Sequence, residues 1–197
     1  MTISEMKERL GEIIFERSFQ YSENPPFTLA SGRQSNYYFN CKTTTLDPEG
    51  MNLIGLVIFD MVKDSGITAA GGLTLGADPI ANALSVISYQ KGKPISSFIV
   101  RKDVKDHGTK SAIEGNVKAG DRVLILDDVI TTGGSTITAI EQAKRAGLIV
   151  DRVITLIDRE EGGRENIQKH VEIIESVLTR AEIMAIRAKK MNDGTVK

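Results

Sequence analysis

Two adjacent carboxylates and a run of hydroxyl and glycine residues stand close together in this chain. Asp127 and Asp128 are separated by two apolar residues from the turn TTGGST, residues 131–136. When a strand leads through a glycine-rich turn into a helix, free backbone N–H groups point toward one place, with the positive end of the helix dipole behind them. Glycines let the backbone approach an anion closely, and hydroxyl groups add hydrogen-bond donors. This order predicts a phosphate-binding turn.

The two acids limit which ligands could bind at this turn. A carboxylate repels a phosphate, so adjacent acids at a phosphate site indicate a ligand that also carries hydroxyl groups or brings Mg²⁺. A sugar phosphate fits both descriptions. The alternative is an ordinary strand–turn–helix connection, and the two acids together with TTGGST argue against it. The chain has neither GxGxxG nor GxxxxGK followed by Ser or Thr, which disfavours a dinucleotide enzyme and a P-loop nucleotidase.

Apolar residues on either side of this turn predict the elements that hold it. Residues 123–126 are four branched apolar residues in a row, typical of a strand buried on both faces of a parallel sheet. We expect this strand to end at the two acids. After the turn, Ile137, Ile140 and Ala143 share one face of a predicted helix, and Gly147 is placed to end it.

A second segment of the same kind lies earlier in the chain. A short apolar strand is predicted for residues 67–70, glycines follow at 71, 72 and 76, and a helix is predicted for residues 79–89. The N-terminus of that helix is a second potential anion site. Alone it is a weak indication, because such turns also serve plain packing. Two such turns suit a ligand that carries phosphate groups at two places.

A basic segment, residues 101–115, follows a strand predicted for residues 94–100. Four basic side chains and one of the chain's two histidines lie within its first ten residues, without apolar periodicity. One interpretation is a solvated surface loop. A mobile lid that closes over a polyanion fits the composition better.

Arg159 follows another predicted strand, residues 152–157. An arginine at the end of a strand can bind a carboxylate through two parallel hydrogen bonds. Helices are also predicted for residues 3–17, 47–63, 165–169 and 181–191, and strands for residues 37–41 and 171–178. Strands that alternate with helices and end in polar residues predict a doubly wound, mostly parallel α/β sheet flanked by helices.

Length and composition set broad limits. A chain of 197 residues suits one domain, and 25 basic against 26 acidic side chains imply no polyanionic partner such as a nucleic acid. The single cysteine, Cys41, excludes an internal disulfide, suits a reducing cytoplasm and is expected to be a small core residue. No apolar run approaches the length of a membrane span, and the charged N-terminus is unlike a signal peptide. We expect no role for His170.

Four segments, FTLASGRQSNYY (27–38), RKDVKDHG (101–108), VLILDDVITTGGST (123–136) and DREEGG (158–163), resemble orotate phosphoribosyltransferases of the type I phosphoribosyltransferase family. The resemblance implies that fold in a single domain spanning residues 1–197, with residues 1–45 as an N-terminal helix and hood over the base. It implies Mg²⁺-dependent transfer of ribose 5-phosphate from phosphoribosyl pyrophosphate to orotate, giving orotidine 5′-phosphate and pyrophosphate in pyrimidine biosynthesis.

The resemblance also implies roles for particular residues. The catalytic residues would be Lys105, His107, Asp127 and Asp128. Phosphoribosyl pyrophosphate would be bound by Leu73, Thr74, Arg101, Lys102, Lys105, His107, Asp127, Asp128, Val129, Ile130, Thr131, Thr132, Gly133, Gly134 and Ser135. Orotate would be bound by Thr131, Arg159, Tyr37 and Tyr38. Mg²⁺ would be held mainly by substrate, with Asp127 and Asp128 acting through water.

Three further expectations come from the same resemblance. Some family members carry a lysine where this chain has Ala30, so that contact is missing here or supplied elsewhere. Related phosphoribosyltransferases often have a cis non-proline peptide in the first glycine turn, which alignment places at Leu73–Thr74. The lid reaches into the neighbouring subunit's site in that family, which implies a homodimer.

Two other functions remain open on the residues alone. A purine-type phosphoribosyltransferase would keep the central motif but would have no reason for Arg159 or for the KDHG lid. A non-catalytic regulator could use the same pocket to sense phosphoribosyl pyrophosphate and bind nucleic acid elsewhere. The intact lid and the near-neutral charge count against the regulator.

Overall fold

The computed structural model describes residues 1–28, 34–102 and 112–194. The helices in these ranges are α1 (Ile3–Arg17), α2 (Lys42–Thr45), α3 (Pro48–Val62), α4 (Asp78–Gln90), α5 (Gly134–Arg145), α6 (Gly163–Gln168) and α7 (Arg180–Asn192). The strands are β1 (Phe19–Tyr21), β2 (Phe27–Thr28), β3 (Gln34–Ser35), β4 (Tyr37–Phe39), β5 (Ala69–Leu73), β6 (Ser96–Val100), β7 (Ile113–Gly115), β8 (Arg122–Ile130), β9 (Ile149–Asp158) and β10 (Ile173–Thr179).

Six strands form the central sheet in the order β10-β9-β8-β5-β6-β7. Neighbours are parallel, except that β7 runs antiparallel to β6. Parallel neighbours need crossover connections, and α4, α5 and α6 provide them between β5 and β6, β8 and β9, and β9 and β10. The predicted mostly parallel, doubly wound α/β sheet is confirmed.

The sheet is covered on both faces, as the apolar run at its centre predicts. Leu124 and Leu126 on β8 pack into a core with helices α1, α3 and α4, while Val123 and Ile125 pack on the other side against α5. All four side chains are buried. A strand without a polar face is stable only where both faces are covered, so this run fixes β8 at the interior of the sheet.

Side-chain caps start the two helices that frame the N-terminal region. Thr2 Oγ1 accepts a hydrogen bond from Glu5 N, and Glu5 Oε2 accepts one from Thr2 N, which closes a capping box at α1. Asp47 Oδ1 accepts hydrogen bonds from Glu49 N and Gly50 N at the start of α3, where Pro48 occupies the first turn. Helix α1 packs against α3 and α7.

Strand β8 is longer than its apolar run. It continues to Ile130 because β9 extends alongside it to Asp158, with Asp127 opposite Thr155 and Ile130 opposite Asp158. The expectation that the strand ends at the two acids is therefore wrong, and both carboxylates project from paired strand. Hydrogen bonds to a neighbouring strand compensate for the low strand propensity of aspartate, and local sequence does not reveal that neighbour.

The other long elements agree with their predicted positions to within a few residues, whereas several short elements were not predicted. These are α2 and the strands β1, β2, β3 and β7, each of two to four residues. Strands of this length show no periodicity, and they exist because they pair, β1 with β4, β2 with β3, and β7 with β6. Such pairing is a property of the folded chain.

Among the described residues, no helix combines the length and the apolar character needed to cross a bilayer.

Candidate active site

The predicted phosphate-binding turn, residues 131–136, lies where β8 passes into α5. Gly133 has a φ of 85°, and α5 begins at the next residue without a side-chain cap from any described residue. A side chain at Gly133 would also press on Ile167, since a Cβ there would lie 2.9 Å from its Cγ1. Glycine is thus required by both conformation and packing, and the first N–H groups of α5 remain available to an anion.

A cavity of about 320 Å³ opens over this turn. Its lining combines the turn with residues from β4 and from the end of β9, namely Tyr38, Phe39, Asp128, Val129, Thr131, Thr132, Gly133, Gly134, Ser135 and Arg159. Nine of these ten residues were predicted to bind phosphoribosyl pyrophosphate or orotate, and the structure brings them together. Phe39 was not among the predicted residues, nor was Lys42, which lines the adjoining cavity described next.

A second cavity, of about 250 Å³, adjoins the first over the glycine turn after β5. The two cavities share Asp128, Val129 and Ser135, so they form one continuous groove. The rest of its lining is Lys42, Leu73, Thr74, Leu75, Gly76, Lys102 and Asp127. The two turns are adjacent because β5 and β8 are parallel neighbours whose carboxyl ends lie at the same edge.

The peptide between Thr74 and Leu75 is cis. The expected cis bond at Leu73–Thr74 is therefore wrong by one position, although the turn was correct. Neither bond precedes a proline, so the residue types gave no physical reason to choose between them. Thr74 Oγ1 donates a hydrogen bond to Asp78 Oδ2 at 2.7 Å, which ties this turn to the first residue of α4.

The two neighbouring acids have different surroundings. Asp127 is buried, and its Oδ2 accepts hydrogen bonds from Ser135 Oγ at 2.8 Å and from Thr136 Oγ1 at 2.6 Å. Its Oδ1 accepts one from Asp128 N at 3.0 Å. This carboxylate therefore ties the end of β8 to the first turn of α5 and holds the phosphate-binding turn in shape.

Burial raises the pKa of Asp127 from its ordinary value of 3.8 to about 6. Hydrogen bonds from Thr136, from Ser135 and from the backbone of Asp128 oppose that rise. The negative charge of Asp128 adds to it. The net direction shows that desolvation outweighs the hydrogen bonds.

Asp128 faces the groove. Its Oδ1 accepts a hydrogen bond from Val129 N, and its Oδ2 lies 4.0 Å from Lys42 Nζ. A Cβ at Gly76 would lie 2.6 Å from Asp128 Oδ1, so glycine allows the first turn to approach the acid. Lys42 is a site candidate that the sequence analysis missed, because a single lysine after a strand carries no distinguishing pattern.

Arg159 is buried at the end of β9, and its hydrogen-bond partners were not predicted. Its Nε donates to Glu161 Oε1 at 3.0 Å and its Nη2 to Ser35 Oγ at 3.1 Å. The Tyr37 ring lies 4.9 Å from the guanidinium carbon. Tyr37 and Tyr38, although both were predicted to contact orotate, therefore occupy different positions. Tyr38 lines the groove, while Tyr37 lies behind Arg159.

Only the two ends of the basic segment are described. Lys102 lines the second cavity, and Arg101 pairs with Glu114 at 2.9 Å, Nη1 to Oε1. The predicted site residues Lys105 and His107, and Ala30 of the hood, lie outside the described residues. Ile130 is described, and its side chain is buried in the core, which leaves its main chain as the part that a ligand can contact.

The described residues contain no group of three or more His, Cys, Asp or Glu side chains placed to hold a metal ion. Cys41 is buried, as expected of a core residue, and burial raises the pKa of its thiol. His170 accepts a hydrogen bond from Lys144 through its backbone oxygen, away from the groove.

Asp127→Asn should change how stability depends on pH. The folded wild type binds more protons than the unfolded chain between pH 4 and pH 6, because the pKa of Asp127 is raised, so this group makes stability fall as pH rises through that window. The variant should lack this loss of stability. Its free energy of unfolding should therefore increase relative to that of wild type by on the order of 2–3 kcal/mol between pH 3.5 and pH 7. Urea denaturation across that range measures the difference.

The matched variant for this prediction is Asp128→Asn. It removes the neighbouring charge but not the burial of Asp127, so it should reduce the pH dependence without abolishing it. Parallel pH profiles for wild type and Asp127→Asn would contradict the role of burial.

Comparison with known proteins places the chain in a family. No family model matches it. It is 44% identical over 178 residues to the orotate phosphoribosyltransferase of Aquifex aeolicus (strain VF5), covering 90% of this chain and 97% of that protein. The crystal structure of Mycobacterium tuberculosis H37Rv orotate phosphoribosyltransferase in complex with Fe(III) dicitrate superposes with a TM-score of 0.78 at 36% identity, covering 90% of this chain and 98% of that one.

The same Mycobacterium tuberculosis enzyme in complex with 5-phospho-alpha-D-ribosyl 1-diphosphate gives a TM-score of 0.74 at 34% identity, again over 90% of this chain and 98% of that one. Sequence and structure therefore agree over nearly the full length of these relatives. The chain belongs to the orotate phosphoribosyltransferase family and is a phosphoribosyltransferase of pyrimidine biosynthesis.

Proposed function

We propose that this enzyme binds phosphoribosyl pyrophosphate along the groove and transfers its ribose 5-phosphate to the ring nitrogen of orotate. The observation that supports this most directly is the groove itself, in which two glycine turns meet beside a buried arginine. One turn suits each phosphate-bearing end of the donor, and the arginine suits a nucleobase that carries a carboxylate. A purine base offers no carboxylate for that arginine.

The turn from Thr131 to Ser135 is proposed to hold the 5-phosphate, with Thr132, Gly133 and Gly134 between them. Support comes from the uncapped first N–H groups of α5 and from the exposed side chain of Thr132. Val129 and the main chain of Ile130 would contact the same ligand. Leu73 and Thr74 would contact the pyrophosphate from the other side of the groove.

Asp127 and Asp128 are proposed to act on the ribose, Asp128 by accepting hydrogen bonds from its hydroxyl groups and Asp127 chiefly by holding the turn. Mg²⁺ fits this donor set, because it commonly keeps several waters and binds through one or two carboxylates plus substrate phosphates. We propose that it is held mainly by substrate, with both acids reaching it through water. When bound, it would neutralise charge on the pyrophosphate.

The transfer builds positive charge on the ribosyl carbon as pyrophosphate leaves, so the protein needs to position two substrates and stabilise the departing anion. Lys105 is proposed for that task together with Arg101 and Lys102. His107 is proposed to hydrogen-bond the leaving group. Lys102 already lines the groove on the pyrophosphate side, which supports this placement.

Arg159 is proposed to bind the orotate carboxylate, with Thr131 and Tyr38 beside the base and the Tyr37 ring packed against the Arg159 guanidinium from behind. Its burial supports this role, because a charge-assisted hydrogen bond is strongest where water is excluded. Residues 1–45 would form the hood over the base, since strands β3 and β4 already bring Ser35 and Tyr38 to this end of the groove.

We further propose a cytoplasmic homodimer of single-domain subunits, in which residues 101–115 of one subunit close the site of the other. The described ends of this lid directly follow β6 and include β7, which is the edge strand of the described sheet, where a second subunit can approach. The single cysteine, which is buried and free, suits a reducing compartment.

The reaction is tested by incubating the purified protein with orotate, phosphoribosyl pyrophosphate and Mg²⁺. Orotate should disappear as pyrophosphate appears in equal amount, and an excess of EDTA should stop the reaction until Mg²⁺ is restored. Adenine and hypoxanthine are the matched alternative acceptors. Consumption of either purine without consumption of orotate would refute the proposal.

Arg159→Ala should raise the KM for orotate while leaving the KM for phosphoribosyl pyrophosphate nearly unchanged. Loss of a charge-assisted pair costs on the order of 2–5 kcal/mol when the partner carboxylate stays buried. Arg145→Ala is the control, since Arg145 lies exposed on α5 and pairs with Glu141. Equal weakening of both substrates would remove Arg159 from the base site.

Lys105→Ala should lower kcat and kcat/KM together if the lysine stabilises charge only in the transition state. Mixing Lys105→Ala subunits with Asp128→Ala subunits should restore about a quarter of the wild-type activity, because half of randomly formed dimers would contain one intact shared site. Each variant alone is the control. No recovery on mixing would indicate a lid that closes over its own subunit.

A further inference from the structure

Glu161 lies directly behind Arg159, and the proposed reaction gives it no role. Its Oε1 accepts hydrogen bonds from Arg159 Nε at 3.0 Å and from the hydroxyl of Tyr37 at 3.1 Å. The same oxygen lies 2.9 Å from Arg159 Nη2. One carboxylate oxygen therefore holds the side edge of the guanidinium.

Glu161 is itself held in place from behind. Arg180, the first residue of α7, donates from Nη1 to the Tyr37 hydroxyl at 2.9 Å. The ring of Tyr37 packs against both guanidinium groups, 4.9 Å from the Cζ of Arg159 and 5.6 Å from that of Arg180. The side chains of Arg159 and Glu161 are only 4% and 17% exposed. Their geometry is thus set by packing as well as by charge.

This arrangement leaves one nitrogen of Arg159 for a ligand. Nε donates a hydrogen bond to Glu161 Oε1, while Nη2 donates one to Ser35 Oγ at 3.1 Å and forms an ion pair with the same Glu161 oxygen. Among the described residues, none accepts a hydrogen bond from Nη1. Since Arg159 lines the cavity over the phosphate-binding turn, Nη1 is the group available to an anion there.

We propose that Glu161 is a positioning residue that orients Arg159 for the carboxylate of the acceptor base, and so helps to determine the preference for an acidic pyrimidine. This inference rests on the proposed function, in which Arg159 binds that carboxylate. Glu161 acts through Arg159 and does not touch the base.

Glu161 has two opposing physical effects. Its negative charge weakens the attraction of Arg159 for an anionic base, while its hydrogen bonds fix the guanidinium before the base arrives. An arginine left free would have to lose much of its rotamer freedom on binding, and preorganisation avoids that loss. The Tyr37 hydroxyl donates to the same carboxylate oxygen and offsets part of its charge. If orientation is the larger effect, weakening the hold of Glu161 on Arg159 raises the KM for orotate, and if repulsion is larger it lowers that KM.

The test is Glu161→Gln, whose neutral amide oxygen is a weaker acceptor and therefore holds the Arg159 guanidinium less firmly. The KM for orotate should rise roughly tenfold, as expected for one weakened charge-assisted hydrogen bond, while the KM for phosphoribosyl pyrophosphate stays within about twofold of wild type. Glu165→Gln is the matched control, because Glu165 is exposed in the first turn of α6. A lower or unchanged KM for orotate would overturn the proposal.

A double-mutant cycle separates positioning from a general structural effect. Glu161→Gln should add almost nothing to the KM for orotate when Arg159 is already alanine, because Glu161 acts only through that side chain. A further tenfold rise in the double variant would overturn the proposal. If Glu161→Gln does not fold, Tyr37→Phe replaces it, since it removes the hydroxyl donor and keeps the ring. Tyr37→Phe should raise the KM for orotate about threefold, and an unchanged value would overturn the proposal.

The outcome also distinguishes this inference from the proposed function. If Arg159→Ala leaves the KM for orotate unchanged, the base site is wrongly placed and the role of Glu161 fails with it. If Arg159→Ala raises that KM and Glu161→Gln does not, the proposed function stands and the positioning role alone is refuted.

Discussion

The parallel pairing of β5 with β8 is the contact on which the whole groove depends. Ala69 lies opposite Val123 and Gly71 opposite Ile125, so both strands end at the same edge of the sheet. A Cβ at Gly72 would lie 2.1 Å from the oxygen of Leu126, and one at Gly71 would lie 2.1 Å from the oxygen of Phe98. Gly71 lets β5 approach β6 and Gly72 lets it approach β8, and the approach to β8 joins the two glycine turns into one groove.

The charged side chains around this groove lie at different depths. Asp127 is buried beneath the phosphate-binding turn and is compensated by two hydroxyl groups and a backbone N–H. Asp128 faces the groove, with Lys42 at its edge. A buried carboxylate is tolerated only when its oxygens are hydrogen-bonded, so the inner acid holds the shape of the turn while the outer acid faces the groove.

The base end of the groove is assembled from distant parts of the chain. Ser35 and Tyr37 come from the N-terminal strands, Arg159 and Glu161 from the end of β9, and Arg180 from the start of the last helix. Their polar groups satisfy one another around a buried guanidinium. Because each group is a hydrogen-bond partner of another, this network connects the N-terminal region, the sheet and α7.

The sequence by itself determined the sheet, the two turns and most of the groove lining. The run from Val123 to Leu126, the glycines of both turns and the periodic helices each carry their own local physical signal, and their order implies that the strand ends meet. Arg159 was indicated by its place after a predicted strand, and its role, like much of the groove lining, was implied by the resemblance of segments such as DREEGG to the family. These features were predictable because short-range sequence patterns encode them.

Only the tertiary structure decided the different roles of the paired acids, the length of β8, and the partners of Arg159. Asp127 and Asp128 are chemically identical, and what separates them is the direction in which each projects from a strand that continues only because β9 lies beside it. Ser35 and Glu161 carry no pattern that relates them, although they meet at one guanidinium. Burial and long-range contacts set these properties, and both arise when the chain folds.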